Sequence, residues 1–291
     1  MISVIICSIN ELYLSNIKRN IAETIGVEHE IIAFDNRETN FGISKVYNDC
    51  AKKSKFQYLC FVHEDVIFKT NNWGIILIRQ SINDTGIIGS AGGTIATNEA
   101  LSWGSLGDKY ARYNFIQHHS KKGLRVYKNN PNNEEFSQVL LLDGVFLFTR
   151  KCVWEQVRFD EKTFIGFNLY DLDFSFAVTR MSYKNYVCHT IDIIHFSYGN
   201  FNLSYLKSAY LFQKKWNYKL PVSIEDLSTE QWRKVEAKAL YMHIRGFLIK
   251  TKTNKQHIRK KIREFQKRYP FDSRIFTLYF KLFFRFLRSF D

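Results

Sequence analysis

Apolar runs alternate with helical spacings over residues 1–65, and this alternation restricts the fold more than any other feature of the chain. Residues 2–9 are a β-branched apolar run that stops at Asn10, and residues 12–25 show helical spacing before Gly26. Residues 30–34 form a second run, stopped by Asp35-Asn36-Arg37-Glu38. Residues 43–54 read as a second helix, and residues 58–62 run into His63-Glu64-Asp65. Continuous apolar runs suit strands covered on both faces, as in a parallel sheet, and strand–helix–strand order requires right-handed crossovers. The expected fold class is therefore α/β, a mostly parallel central sheet flanked by helices. Ligands of such sheets bind beyond the carboxyl ends of the strands, where Asn10, Asp35 and the triplet from His63 to Asp65 fall.

Further along, a helix and a strand at 86–90 are expected within 74–101, then a glycine-containing stretch and a polar, irregular segment at 102–135. An apolar strand pair at 139–149 is interrupted by Asp143-Gly144. A helix opens with Asp171 and Asp173, and one last strand spans 186–196 with His195 near its end. After Gly199 the pattern turns helical, at about 203–216, 229–250, 255–268 and 273–289. With 26 Phe, 16 Tyr and only 3 Pro, long regular elements are favoured over loops or repeats. The five cysteines include no CxxC pair and read as reduced. The first residues match a strand and not a secretory leader, so the expected compartment is the cytoplasm.

Charge is distributed unevenly. Residues 1–204 carry 21 basic and 21 acidic side chains, whereas residues 205–291 carry 21 basic and only 7 acidic ones. The whole net charge of +14 thus sits in the last part of the chain, which points to an anionic partner such as a membrane surface or nucleic acid.

Acids and histidines at strand ends can serve a reaction whose leaving group gathers negative charge. His63 and Asp65, two residues apart at a strand end, project to one side and can hold a divalent cation. Asp35 is placed to accept hydrogen bonds from a nucleoside. Asp171 and Asp173 are candidate general bases, and His195 ends a strand on the same edge.

The segments Ile2-Ser3-Val4-Ile5-Ile6-Cys7-Ser8, Ile32-Ala33-Phe34-Asp35-Asn36 and Phe61-Val62-His63-Glu64-Asp65-Val66 resemble the GT-A nucleotide-sugar domain of family 2 glycosyltransferases. The similarity is greatest to a bacterial subgroup with His-Glu-Asp in place of Asp-x-Asp, and it covers about residues 1–200. The resemblance implies that Ser8 and Asn10 line the nucleotide pocket, Asp35 binds the nucleoside and Asp65 is the principal metal ligand. It also implies that Asp143-Gly144 borders donor sugar and acceptor, that Asp171 is the base, and that His195 adds a metal or diphosphate contact. His63 stands where the family has its first acid, which leaves its role open between ribose and metal. Tyr170 stands where an acid precedes the base, which leaves the base open between Asp171 and Asp173.

The implied reaction is inverting transfer of a hexosyl group from a nucleotide-diphosphate sugar to a hydroxyl, with Mn or Mg as cofactor, in bacterial surface-polysaccharide synthesis. The acceptor would be a glycan or lipid-linked glycan. Two domains are expected, a GT-A unit at 1–199 and a basic, aromatic-rich helical extension at 200–291. Two rivals stand beside this reading. A nucleic-acid-binding protein would use the basic tail, and a nucleotidyltransferase would carry a glycine-rich basic loop that Ser8-Ile9-Asn10-Glu11-Leu12 lacks.

At 273–289, Arg274, Thr277, Lys281, Arg285 and Arg288 fall within a sector of roughly 80°, and the remaining surface, out to Phe290, is aromatic and aliphatic. This matches a helix lying peripherally on an anionic membrane at the cytoplasmic face. The alternative is that the aromatic face packs on the protein's own helices.

Overall fold

The computed structural model describes residues 1–99, 102–197, 199, 202–250 and 255–287. The alternating start folds as β1 (Ile2–Ser8), α1 (Glu11–Thr24), β2 (His29–Asp35), α2 (Ile43–Lys53) and β3 (Tyr58–His63). Strand β1 lies between β2 and β3, parallel to both, in a register that sets Ser8 beside Asp35 and Cys7 beside His63. Three polar strand ends thus share one edge of the sheet.

Next come β4 (Val66–Phe68), α3 (Trp73–Gln80), β5 (Thr85–Gly89), β6 (Ala91–Gly93), β7 (Ile95–Ala96), β8 (Ala111–His119) and β9 (Gly123–Asn129). The body continues with β10 (Phe136–Val139), β11 (Leu141–Leu142), β12 (Phe146–Arg150), α4 (Lys151–Val157), α5 (Tyr170–Arg180), β13 (Lys184–Cys188) and β14 (Ile193–His195). The large sheet runs β10-β13-β5-β12-β3-β1-β2, and a second runs β11-β6-β8-β14-β4 with β9 on β8. The architecture is α/β, as expected.

Side chains of the central strands alternate between two cores. Ile5, Leu59, Phe61 and Leu147 pack on the face covered by α2, α4 and α5, whereas Val4, Ile6, Val62 and Phe148 pack on the face covered by α1 and α3. Each fully buried residue of this kind contributes roughly 1.5–3 kcal/mol, which explains why the strands read as unbroken apolar runs.

Two expectations are corrected. The segment read as irregular at 102–135 contains the long antiparallel hairpin β8–β9, paired from Tyr113–Asn129 to His119–Gly123. Its strand character was hidden because several buried positions are polar and find distant partners: Arg112 pairs with Glu225, and Gln117 donates to the carbonyls of His195 and Ser197. The single strand expected at 186–196 is two strands in different sheets. Asn114 Nδ2 donates to the carbonyls of His189 and Ile191 and to Asp192, pinning the crossover between them.

Beyond the sheets lie α6 (Leu203–Trp216), β15 (Val222–Ser223), α7 (Thr229–Lys250), α8 (Lys255–Arg268) and α9 (Arg274–Leu287). Helix α6 buries Ala209, Phe212 and Trp216 in the body's core, whereas Leu240, Ile244, Ile262, Phe265 and Leu278 of α7–α9 form a cluster of their own. Arg288 and Phe290, which the interfacial-helix expectation includes, lie outside the described residues. Among those described, no helix is long and apolar enough to cross a membrane.

Candidate active site

The β1 edge is held by a residue from the neighbouring strand end. Glu64 accepts hydrogen bonds from Ser8 Oγ at 2.6 Å and from the Ile9 and Asn10 amides at 3.2 and 3.0 Å. Alternation at the strand end turns Glu64 away from His63 and Asp65, so the middle acid secures the loop while its neighbours face the other side. Asn10 Oδ1 accepts from the Leu12 and Tyr13 amides at 3.0 and 3.1 Å, capping α1. Asp35 is exposed at the end of β2, where it accepts from Arg37 Nε at 2.9 Å; this bond holds its carboxyl below the usual range.

His63, Asp65 and His195 converge, and a ligand atom of each lies within 4.8 Å of the others. Antiparallel pairing of β14 with β4, which sets His195 opposite Val66, brings them together. The Phe196 amide donates to the Asp65 carbonyl at 3.1 Å, closing the junction. His195 Nε2 stands 3.6 Å from Asp65 Oδ2, and His63 Nε2 is 2.8 Å from the Tyr170 hydroxyl. Burial, and after it the neighbouring His195, lowers the pKa of His63 and favours the neutral imidazole, the form that ligates metals. A buried carboxylate between two imidazoles fits a divalent transition ion.

Helix α5 starts from Leu169, whose φ of +63° is left-handed, a conformation that costs a bulky residue roughly 1 kcal/mol or more and is sustained here by burial. The turn directs Tyr170 and Asp171 toward the strand ends. Tyr170 lies so close over Gly144 that a Cβ there would collide with its hydroxyl. Asp171 Oδ2 accepts the Gly144 amide at 2.8 Å. Asp143 accepts from Trp103 Nε1 at 2.6 Å and from the Val145 amide at 3.1 Å. Burial, and then the nearby Asp143 charge, pushes the Asp171 carboxyl up to about 7.

Asp173 faces elsewhere. On a helix, residues i and i+2 are about 200° apart, so the two acids cannot serve one site. Asp173 is 1% exposed and accepts from Lys215 Nζ and Trp216 Nε1, each at 2.8 Å, clamping α5 to α6.

His63, Asp143, Gly144, Asp171 and His195 border one cavity of about 600 Å³, a size within the about 300–1,000 Å³ typical of small-molecule sites. Residues 3–213 match a protein family described as "Glycosyltransferase like family". The chain belongs to that glycosyltransferase-like family. A search of curated proteins finds no match for it. Among solved structures, S. aureus TarS 1-349 in complex with UDP is similar, with a TM-score of 0.53 and 14% identity over 95% of this chain and 82% of that one. The same TarS fragment in complex with UDP-GlcNAc gives a TM-score of 0.51 at 14% identity, over 95% and 83% of the two chains. The fold of this glycosyltransferase-like chain is GT-A.

Four residues in or beside the candidate site were not singled out as site residues in the sequence: Glu64, Trp103, Tyr170 and Tyr205. Alternation pointed to Glu64 as the residue facing away from the other two. Trp103 and Tyr205 line the cavity from segments whose sequence carries no motif for a site, the first from the stretch read as irregular and the second from α6, which was expected as a helix but not beside the cavity. Ser8, Asn10 and Asp35 lie on the ledge formed by the ends of β1 and β2, not on the cavity wall.

Proposed function

We propose that this glycosyltransferase moves a hexosyl group from a nucleoside-diphosphate donor to a hydroxyl of a glycan or lipid-linked glycan, with inversion. The observation that carries the reading is the placement of Asp171, with its raised basicity, in the cavity bordered also by His63 and His195. Asp171 takes the proton of the acceptor hydroxyl, whose oxygen attacks the anomeric carbon from the side opposite the departing diphosphate. Asp143 and Gly144 border the sugar between base and leaving group. The donor's nucleoside extends along Ser8, Asn10 and Asp35; the binding of UDP and UDP-GlcNAc by TarS supports this donor class.

His63, Asp65 and His195 would hold a divalent cation, which when bound offsets charge on the diphosphate. Two imidazoles with one carboxylate favour Mn over Mg, which prefers oxygen ligands and keeps several waters. The unit from about residue 200 is read as an extension resting peripherally on an anionic membrane, in keeping with surface-polysaccharide synthesis. The exposure of Phe276 (76%), Phe280 (63%) and Phe283 (60%) on α9 supports that reading against burial on the protein's own helices.

The decisive test is thermal stabilisation by UDP and GDP with and without Mn, since a ligand bound only by the folded state raises apparent stability with affinity. A shift that requires Mn and disappears in Asp65→Ala is expected. An Mn-independent shift, unchanged in the variant, removes Asp65 from a metal site.

A further inference from the structure

Two side chains from distant parts of the chain meet in one hydrogen bond at the candidate site. His63 ends β3 and Tyr170 opens α5; both border the cavity, and His63 Nε2 is 2.8 Å from the Tyr170 hydroxyl. These are the two positions at which the chain departs from the pattern it resembles, each placing a neutral group where that pattern has an acid. The fold sets the two departures against each other.

Three features hold the hydroxyl in place. Leu169 adopts a φ of +63° to start α5. Gly144, bare of a side chain, leaves room for the phenol, whose oxygen also lies 3.4 Å from the Gly144 carbonyl. The Tyr170 ring is buried, with Tyr47 packed edge-on at a centroid distance of 5.8 Å and Phe159 at 6.0 Å. A hydroxyl fixed on three sides can orient the ring it touches.

The number of protons decides what the contact does. A neutral imidazole carries one, and the hydroxyl carries one. If the hydroxyl gives its proton to Nε2, the ring proton sits on Nδ1 and neither nitrogen offers a lone pair to a cation. If the hydroxyl turns its proton to the Gly144 carbonyl, Nε2 carries the ring proton and donates it to the hydroxyl oxygen. Nδ1 then keeps its lone pair, and both protons lie in the two contacts observed. A histidine that binds metal through one nitrogen usually donates its other N–H to a protein oxygen or water, which fixes tautomer and ring orientation. A phenol supplies that oxygen without adding a third carboxylate to Asp143 and Asp171, whose charges already oppose each other.

We propose that Tyr170 is a positioning residue for His63: its hydroxyl accepts the Nε2 proton and so reserves Nδ1 for a divalent cation shared with Asp65 and His195. The assignment rests on the metal reading of those three residues and makes Tyr170 act through His63, not on the substrate.

The tautomer is read by nitrogen NMR of the metal-free full chain carrying isotopically labelled histidine, above neutral pH, because the shifts of the two ring nitrogens report which is protonated. The His63 signal is assigned by its absence in His63→Ala. Wild type should show the Nε2–H tautomer, and Tyr170→Phe, which removes only the hydroxyl, should move the ring toward a mixture. Calorimetry then follows Mn binding in the presence of saturating UDP. Tyr170→Phe should weaken Mn about 10- to 100-fold. His63→Ala should weaken it at least as much, and adding Tyr170→Phe to His63→Ala should cause no further loss.

The assignment is overturned if wild type carries the ring proton on Nδ1, or if Tyr170→Phe leaves either the tautomer or the Mn affinity unchanged. Tighter Mn binding by Tyr170→Phe also overturns it, because the hydroxyl then competes with the cation for Nε2. So does an equal loss from Tyr170→Phe in the His63→Ala background, which would mark Tyr170 as a packing residue alone. Absence of Mn binding by a wild type that shows the Nε2–H tautomer would count against the metal reading alone, since the tautomer is read without metal.

Discussion

The sheet body and the helical cluster α7–α9 are both built on apolar cores, yet they place their charges in opposite ways. The body is electrically balanced and gathers polar groups at its strand ends, Ser8 hydrogen-bonded to Glu64, Asp143 to Trp103, and Asp65 close to two histidines. The cluster's core is formed by apolar residues, and the lysines and arginines of residues 205–291 whose side chains are described lie outside it. Helix α9 shows the contrast within one element. Ile275, Leu278 and Leu282 face inward, while Phe276, Phe280 and Phe283 face out. Transfer chemistry requires polar groups held in a fixed, partly desolvated geometry, which the register of a sheet supplies. Adhesion to a surface requires only a helix with a face to spare.

Breaking the proposed base should have the largest effect. Asp171→Asn is expected to lower transfer by about 10²- to 10⁴-fold with UDP binding retained, read by steady-state kinetics and calorimetry. Because only the carboxylate accepts a proton, the wild-type rate should fall below about pH 7, and the variant's residual rate should lose that dependence. Asp173→Ala tests the other acid of the pair. Its loss leaves Trp216 Nε1 without a partner and Lys215 with Asp160 alone, and should cost about 1–3 kcal/mol of stability in denaturant titration, with donor binding intact at low temperature. If Asp173→Asn were instead well folded and as inactive as Asp171→Asn, the roles of the two acids would have to be exchanged.

Leu278→Ala sharpens the contrast between the regions. Leu278 is 0% exposed, so the change should cost about 2–5 kcal/mol and, in hydrogen exchange, loosen α7–α9 while β1–β3 stay protected. Equal loss of protection everywhere would show one cooperative unit.

A smaller effect concerns stability and pH. The Asp171 carboxyl titrates higher in the folded chain than its ordinary value of 3.8, so its contribution is fully present at low pH and is lost as pH climbs toward about 7. Asp171→Asn should therefore be more stable than wild type by roughly 1–3 kcal/mol at pH 8 in metal-free buffer, the gap closing toward pH 4. Smallest in stability is Phe280→Ser combined with Phe283→Ser. As surface changes they should shift stability by about 0.5 kcal/mol or less, yet reduce sedimentation with anionic vesicles. Unchanged sedimentation would remove α9 from the membrane reading.

Sequence alone determined the strand–helix alternation, the polar strand ends, the charge asymmetry and nearly the full extents of the late helices, because each is written in local periodicity. Leu203–Trp216, Thr229–Lys250 and Lys255–Arg268 have the expected bounds. Tertiary structure decided what depends on pairing between distant segments. The meeting of His195 with His63 and Asp65 follows from β14 lying against β4, a contact for which neither segment carries a local signal. The separate fates of Asp171 and Asp173 follow from which side of α5 meets the cavity and which meets α6. Strand β8 escaped notice because its buried Arg112, Asn114 and Gln117 look like loop residues until their partners from elsewhere in the chain arrive. A polar side chain is compatible with burial only when another part of the fold supplies its hydrogen bonds, and a local pattern cannot record that supply.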